Sequence, residues 1–232
     1  MSATSATVPT HIGFILDGNR RWAKAHGLPS VEGHKKGYEN LKTIAKAAFD
    51  SGIAYVSAYV FSTENWNRSA DEVDYLMKLL LWVAKNEVNE LDKQNIKIQF
   101  LGEEEHLSKD VIEAMEKAEK RTKDNTGGTL LLCLNYGGRQ EIATAVNKLL
   151  IKHPSMTEVT PELIEQHLYK PEVPAVDYIV RTSGEQRLSN FMLWRAAYSE
   201  LYFVSKHWPE FSEEDLNEAL QEFAKRSRRF GA

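Results

Sequence analysis

The sequence predicts an α/β fold, a single domain with a mostly parallel central sheet of about six strands flanked by helices. Two observations carry this. Strand-like runs alternate with helical patterns along the chain, and no internal repeat, low-complexity tract or interdomain linker divides its 232 residues. A third makes the fold informative: Asp17, Ser62, Asn135 and Arg181 all fall at the carboxyl ends of expected strands, where ligands of such sheets collect.

The elements follow in order. Residues 1–10 lack the basic start and apolar centre of a secretory signal and are expected to form a disordered tail, leaving one domain over 11–232. Strands are expected at 11–16, 54–61, 96–101, 129–134, 177–181 and 201–204, and helices near 34–51, 70–93, 108–123, 138–152, 161–169 and 213–226. Several helix starts carry caps: Ser69 with Glu72 reads as a capping box, Thr160 precedes Pro161, and Ser212 precedes Glu213 and Glu214. The helix at 70–93 holds more apolar residues than one buried face needs. Val73, Leu76, Leu80 and Val83 form one row, Met77, Leu81, Ala84, Val88 and Leu91 a second, and Leu79 and Trp82 fall outside both.

Composition excludes several function classes. A net charge of −4 argues against a nucleic-acid binder, whose basic surplus should dominate. The one cysteine, Cys133, lies in the apolar run Leu130 to Leu134 and reads as core, so neither a disulfide framework nor a zinc site is expected. No apolar run approaches the ~20 residues of a membrane span, and a soluble, cytoplasmic protein is expected. The phosphate loops of nucleotide-binding enzymes, Gly-X-X-X-X-Gly-Lys-Ser/Thr and Gly-X-Gly-X-X-Gly, do not occur.

The densest chemistry lies at residues 11–23. Apolar Ile12, Phe14, Ile15 and Leu16 stop abruptly at Asp17-Gly18-Asn19, followed by Arg20-Arg21-Trp22-Ala23. Gly18 allows close backbone approach to a ligand, and two arginines set fixed positive charge beside the turn. A carboxylate ending a strand, then a glycine turn and an arginine pair, can hold a metal and a phosphorylated ligand together. Asp-Gly-Asn alone would be an ordinary turn.

This run resembles the Asp-Gly-Asn-Gly-Arg-Trp-Ala motif of the cis-prenyltransferases, the undecaprenyl diphosphate synthase family. Three further segments match in family order: Phe61-Ser62-Thr63-Glu64-Asn65-Trp66-Asn67-Arg68, Leu134-Asn135-Tyr136-Gly137-Gly138-Arg139, and Arg181 to Phe191. The resemblance extends from about His11 to the Arg-Arg-Phe-Gly at 228–231.

The resemblance implies condensation of isopentenyl diphosphate with an allylic diphosphate such as farnesyl diphosphate, giving undecaprenyl diphosphate or a similar cis-polyprenyl diphosphate. For the allylic site it implies Gly18, Asn19, Arg20, Arg21, Trp22 and His34, with the helix beginning near Gly33-His34 adding its dipole. Asp17 would direct Mg²⁺ to the diphosphate, and Glu200 would join the metal site. For the isopentenyl site it implies Arg181, Arg187 and Ser189, the arginines converging from an irregular loop. Ser62, Asn65, Trp66 and Arg68 would serve between the two sites, with Asp17 and Asn65 the catalytic candidates. The helix at 70–93 would help wall a hydrophobic tunnel. A homodimer is implied, the Arg229-Phe230-Gly231 ending reaching the neighbouring subunit's isopentenyl site, with at most peripheral membrane contact through the lipid product.

The chain departs from the family pattern at Arg20, which replaces a glycine, at Ser30, where an arginine is common, and at Gln186, which some members replace with histidine and which is not assigned to metal. Two other classes compare less well. A trans-type prenyl synthase would be all-helical with paired Asp-Asp-X-X-Asp motifs, and the nearest run here is the single Asp71-Glu72-Val73-Asp74. A catalytically dead scaffold subunit is disfavoured by retention of Asp17, Asn65, Arg181, Arg187 and Glu200.

Overall fold

The computed structural model describes residues 8–226. Six strands form one all-parallel sheet: β1 (His11–Ile15), β2 (Tyr55–Ser62), β3 (Lys97–Leu101), β4 (Thr129–Tyr136), β5 (Tyr178–Arg181) and β6 (Glu200–Phe203), in the order β3-β4-β2-β1-β5-β6. The strands nearest the middle are buried on both faces, as parallel strands covered by helices must be; all five residues of β1 are buried. Because β2 lies on one side of β1 and β5 on the other, the chain leaves the end of β1 beside a topological switch, where a crevice opens.

The helices are α1 (Asn19–Ala25), α2 (Ser30–Asp50), α3 (Ala70–Asn86), α4 (Val88–Lys93), α5 (Lys109–Thr122), α6 (Gly138–Lys152), α7 (Pro161–Glu165) and α8 (Glu213–Lys225), with short 3₁₀ turns at Thr63–Asn67 and Trp208–Glu210. One sheet face, through Ile12, Phe14, Leu130 and Leu132, packs with residues of α2 and α8 such as Ile44 and Phe223. The other, through Leu131, Cys133 and Ile179, packs on Val173, Val176, Phe191 and Met192. Cys133 is a free, buried core thiol.

Several boundaries differ from the sequence reading. Of the tail expected at 1–10, residues 8–10 are described, and there Pro9 is buried while Thr10 donates its N–H to Asp177 Oδ2 at 2.8 Å. Residues 19–25, read as a turn and its flank, form α1. Helix α2 starts at Ser30, so His34 lies beyond its first turn and not at its amino end. The long helix at 70–93 breaks at Glu87 into α3 and α4, and the one at 161–169 is the short α7. Thr160 caps α7 by accepting the Leu163 N–H, and Ser212 caps α8 in a box closed by Asp215. Ser69 makes no such box, because Glu72 is drawn to Arg20, Arg68 and the His34 ring instead.

Candidate active site

The site begins at Gly18. Its φ of +104° lies in the left-handed region, which permits the turn from β1 into α1. Helix α1 is then held close to α2, where Gly33 and Gly37 leave room: a Cβ on Gly33 would stand 2.1 Å from Asn19 O, and one on Gly37 2.4 Å from Asn19 Oδ1. Arg20, the departure from the glycine of the family motif, is an ordinary residue of α1, so its Cβ costs nothing in the turn.

Asp17 stands at the carboxyl end of β1 and faces two arginines. Arg181 Nη2 donates to Asp17 Oδ2 at 2.9 Å, and Arg21 Nη2 to Oδ1 at 3.1 Å. Partial burial pushes the Asp17 carboxyl up, but the Arg181 and Arg21 contacts outweigh it and hold it below the ordinary range. It is therefore an ionised, hard oxygen donor at neutral pH. Arg181 stands at the carboxyl end of its strand, β5, as expected, and the irregular loop begins after it. Arg181 is 4% exposed and also donates to Ser189 Oγ at 2.8 Å and to the Arg187 carbonyl. Arg187 itself is exposed and paired with Glu185 at 2.5 Å, which also takes Arg21 at 3.1 Å.

A second cluster centres on Glu72, the first-turn carboxylate of α3. It accepts from Arg68 Nη1 at 2.9 Å and His34 Nε2 at 3.2 Å, and Arg20 Nη1 lies 3.5 Å away. Burial lowers the His34 imidazole; the Glu72 hydrogen bond pulls it back and Arg68 repels its charge, leaving it below its usual range and neutral at pH 7. Between the clusters, Asn65 Oδ1 accepts the Ser62 N–H at 3.0 Å, so the Asn65 amide NH₂ is left to donate elsewhere.

These groups ring the mouth of a cavity of about 1530 Å³ whose lining includes Asp17, Gly18, Asn19, Arg20, Arg21, His34, Ser62, Asn65, Arg68, Arg181 and Ser189. Below the mouth the lining is mostly apolar, with Leu41, Ala45 and Phe49 of α2, Leu76, Leu79, Leu80 and Val83 of α3, and Ile98, Phe100, Leu130 and Leu132 of the sheet, while Lys42, Lys46, Asp50 and Gln94 add polar groups to it. From His34 to Phe49 along α2 is about 22 Å. The surplus apolar residues of α3 are explained by this space. Leu79, outside both expected rows, lines the cavity, whereas Trp82 is half exposed and packs edge-on to Tyr38.

Four site residues read from sequence do not line the cavity: Arg187, held outside it by Glu185, and Trp22, Trp66 and Glu200. Trp22 packs against His26, the two rings tilted with centres 4.4 Å apart. Trp66 sits behind the 61–68 loop, donating its indole N–H to Asn135 Oδ1 at 2.7 Å and packing on Phe61. Glu200 begins β6, beside Tyr178 at the amino end of β5 and about 10 Å along the strand from Arg181; it pairs with Arg226 at 2.9 Å. Within one chain, Glu200 and Asp17 therefore lie toward opposite ends of the sheet and do not share a metal site. Among the described residues no group of three or more His, Cys, Asp or Glu gathers as a metal cage. The Arg229-Phe230-Gly231 ending lies outside the described residues. Sequence reasoning missed Glu185 as the bridge between Arg21 and Arg187, and Glu72 as the hub of the second cluster.

A cationic mouth over a deep, largely apolar cavity is the class of site suited to a phosphorylated head joined to a hydrocarbon tail. Comparison with known proteins narrows this. The model of the family described as "Putative undecaprenyl diphosphate synthase" matches residues 15–231. The isoprenyl transferase of Thermotoga maritima is 44% identical, covering 97% of both chains, and that of Listeria innocua is 45% identical, covering 99% of this chain and 92% of its own. Among solved structures, lavandulyl diphosphate synthase from Lavandula x intermedia, in complex with dimethylallyl diphosphate, superposes with a TM-score of 0.90 at 36% identity, covering 97% of this chain and 99% of its own. The chain belongs to the undecaprenyl diphosphate synthase family of prenyltransferases.

Proposed function

We propose that the protein elongates an allylic diphosphate such as farnesyl diphosphate with isopentenyl diphosphate, releasing diphosphate and building a cis-polyprenyl diphosphate, undecaprenyl diphosphate or a similar lipid-carrier precursor. The observation that carries this reading is the single cavity joining the Asp17–Arg21 mouth to a long apolar interior. Coupling of one five-carbon unit to another would leave most of that interior empty, which favours repeated elongation.

Mg²⁺ fits the donor set. It binds through one or two carboxylates together with substrate phosphates and needs no all-protein cage. Asp17, ionised and facing the mouth, is the carboxylate that would hold it, and Glu200 of the same chain is too far away. The ion would supply charge neutralisation for the departing diphosphate. The chain's own groups do the rest. Arg20, Arg21 and the turn at Gly18 bind the allylic head, while Arg181 and Ser189, with Arg187 beside them, receive the isopentenyl head. The Asn65 amide, between the two heads, donates to the diphosphate that gains charge as the allylic C–O bond breaks. The apolar interior excludes water from the reacting carbon.

A homodimer, a cytoplasmic location and peripheral membrane contact through the product belong to the same proposal. Among the described residues no helix is long and apolar enough to cross a membrane. The test is to incubate the purified chain with farnesyl diphosphate and labelled isopentenyl diphosphate and to resolve the dephosphorylated products by chromatography. A ladder of polyprenols that vanishes on chelation and returns with Mg²⁺ is expected. A chain that incorporates no label under any metal condition would refute the proposal and favour the inactive-subunit reading.

A further inference from the structure

The turn carrying Asp17 is gripped from behind by the segment after β6, through residues with no role assigned above. Trp208 is buried, its indole N–H donates to Gly37 O at 2.8 Å, and its backbone N–H donates to Asp17 O at 2.9 Å. On the other side, Lys206 pairs with Asp215 at 2.7 Å, and its carbonyl accepts the Ser183 N–H at 2.7 Å. His207 is fixed between these two anchors. Its Nδ1 shares a hydrogen with Ser183 Oγ at 2.7 Å, and both atoms lie 2.7 Å from where a Cβ on Gly18 would stand. Ser183 holds a φ of +77°, a conformation that persists in a residue with a side chain only when its surroundings impose it. In that conformation its carbonyl accepts Arg21 Nη1 at 3.3 Å.

We propose that His207 is a positioning residue for the Asp17–Gly18 turn, acting through Ser183. The Ser183–His207 pair closes over the Gly18 α-carbon and sets the Ser183 carbonyl that orients Arg21. The Asp17 carboxylate, the Gly18 turn and Arg21 thereby meet the diphosphate in a single geometry. This deepens, and rests on, the elongation reading. Ground-state binding is spread over many groups, but alignment of the leaving diphosphate depends on this turn, so loosening it should act on kcat more than on KM.

The test compares wild type with His207→Ala, Ser183→Ala, the double variant and His207→Asn, whose amide can occupy the place of Nδ1. Three readouts are taken: hydrogen exchange of the amides at residues 18–22 without substrate, steady-state kinetics, and thermal unfolding. Each alanine variant should speed exchange in that segment about tenfold and lower kcat about tenfold, with KM for both substrates within about twofold. The double variant should match the singles, because one contact is lost in all three, and His207→Asn should recover most of the exchange protection and rate. Wild-type exchange and kcat in His207→Ala would overturn the proposal, as would losses that add in the double variant, or a fall in unfolding temperature alone. If the wild-type chain elongates nothing, the elongation reading fails by itself, and the exchange data still decide whether His207 holds the turn.

Discussion

Leu132 and Cys133 are neighbours on β4 with opposite surroundings. Leu132 lines the cavity, whereas Cys133 is wholly buried in the core of the other face. That second face is filled to the point of burying charge. Glu141 and Arg195 form an ion pair at 3.4 Å with side chains 0% and 4% exposed, and Arg195 also donates to the carbonyls of Val173 and Tyr169. Burial raises the Glu141 carboxyl, with the Arg195 charge opposing it. An empty apolar volume costs stability, so nothing in folding favours the hollow face. The sheet thus separates two tasks: substitutions on the solid face should cost stability, and those around the cavity should cost turnover or change the product.

The largest expected effect tests the functional side. Asp17→Ala should cost several kcal/mol in the barrier, about a thousandfold or more in kcat per folded molecule, while binding of a fluorescent allylic analogue changes little and the unfolding temperature falls only by what Arg181 loses with its carboxylate partner. A folded variant that still elongates near the wild-type rate would remove Asp17 from catalysis. Next, Arg195→Ala leaves Glu141 buried without its partner and should destabilise by about 3–5 kcal/mol. Denaturant unfolding measures that loss, and kcat per folded molecule should be unchanged. The sharpest contrast is between the adjacent β4 positions. Cys133→Phe overpacks a filled core and should cost about 1–3 kcal/mol with product length unaltered. Leu132→Phe enters open space and should shorten the polyprenols seen by chromatography, with unfolding nearly unchanged. If both variants behave alike, the division between faces fails.

Arg181 and Arg187, both assigned to the isopentenyl head by the resemblance, differ in that Arg181 also touches Asp17. Arg187→Ala should raise KM for isopentenyl diphosphate several-fold and leave the allylic KM alone. Arg181→Ala should impair both, because Arg181 also holds Asp17 at 2.9 Å; steady-state kinetics against each substrate distinguish them. The smallest effect is on acid stability. The Asp17 carboxyl lies below its ordinary value of 3.8 in the fold, so its contribution is present above that value and is lost as pH falls through the lowered one. Unfolding temperature followed below pH 4 should fall less steeply in Asp17→Asn than in wild type.

The sheet and most of the mouth were legible in the sequence, since buried strands read as apolar runs and Asp17, Ser62 and Arg181 mark their ends. What stayed hidden depends on pairing across the chain. The Ser69-Glu72 spacing signals a local cap, but His34 and Arg20, from elements far back in sequence, compete for the carboxylate. Helix α1 was obscured because its polar residues show no apolar stripe and its place is set by close approach to Gly33 and Gly37. Glu200 shows the reverse case: its motif is legible, but only the β5–β6 register reveals that within one chain it stands toward the end of the sheet away from Asp17.

All six strands run the same way, and this gives the proposed reaction a direction. On that proposal bonds would form at the Asp17 end, and each added unit would push the earlier ones toward the amino ends of the strands. The oldest carbons would be the first to reach Phe49, Ile98 and Leu130. In that sense the cavity would work as a ruler with its zero at Asp17, and the proposed product would be read out by the part of the chain made first.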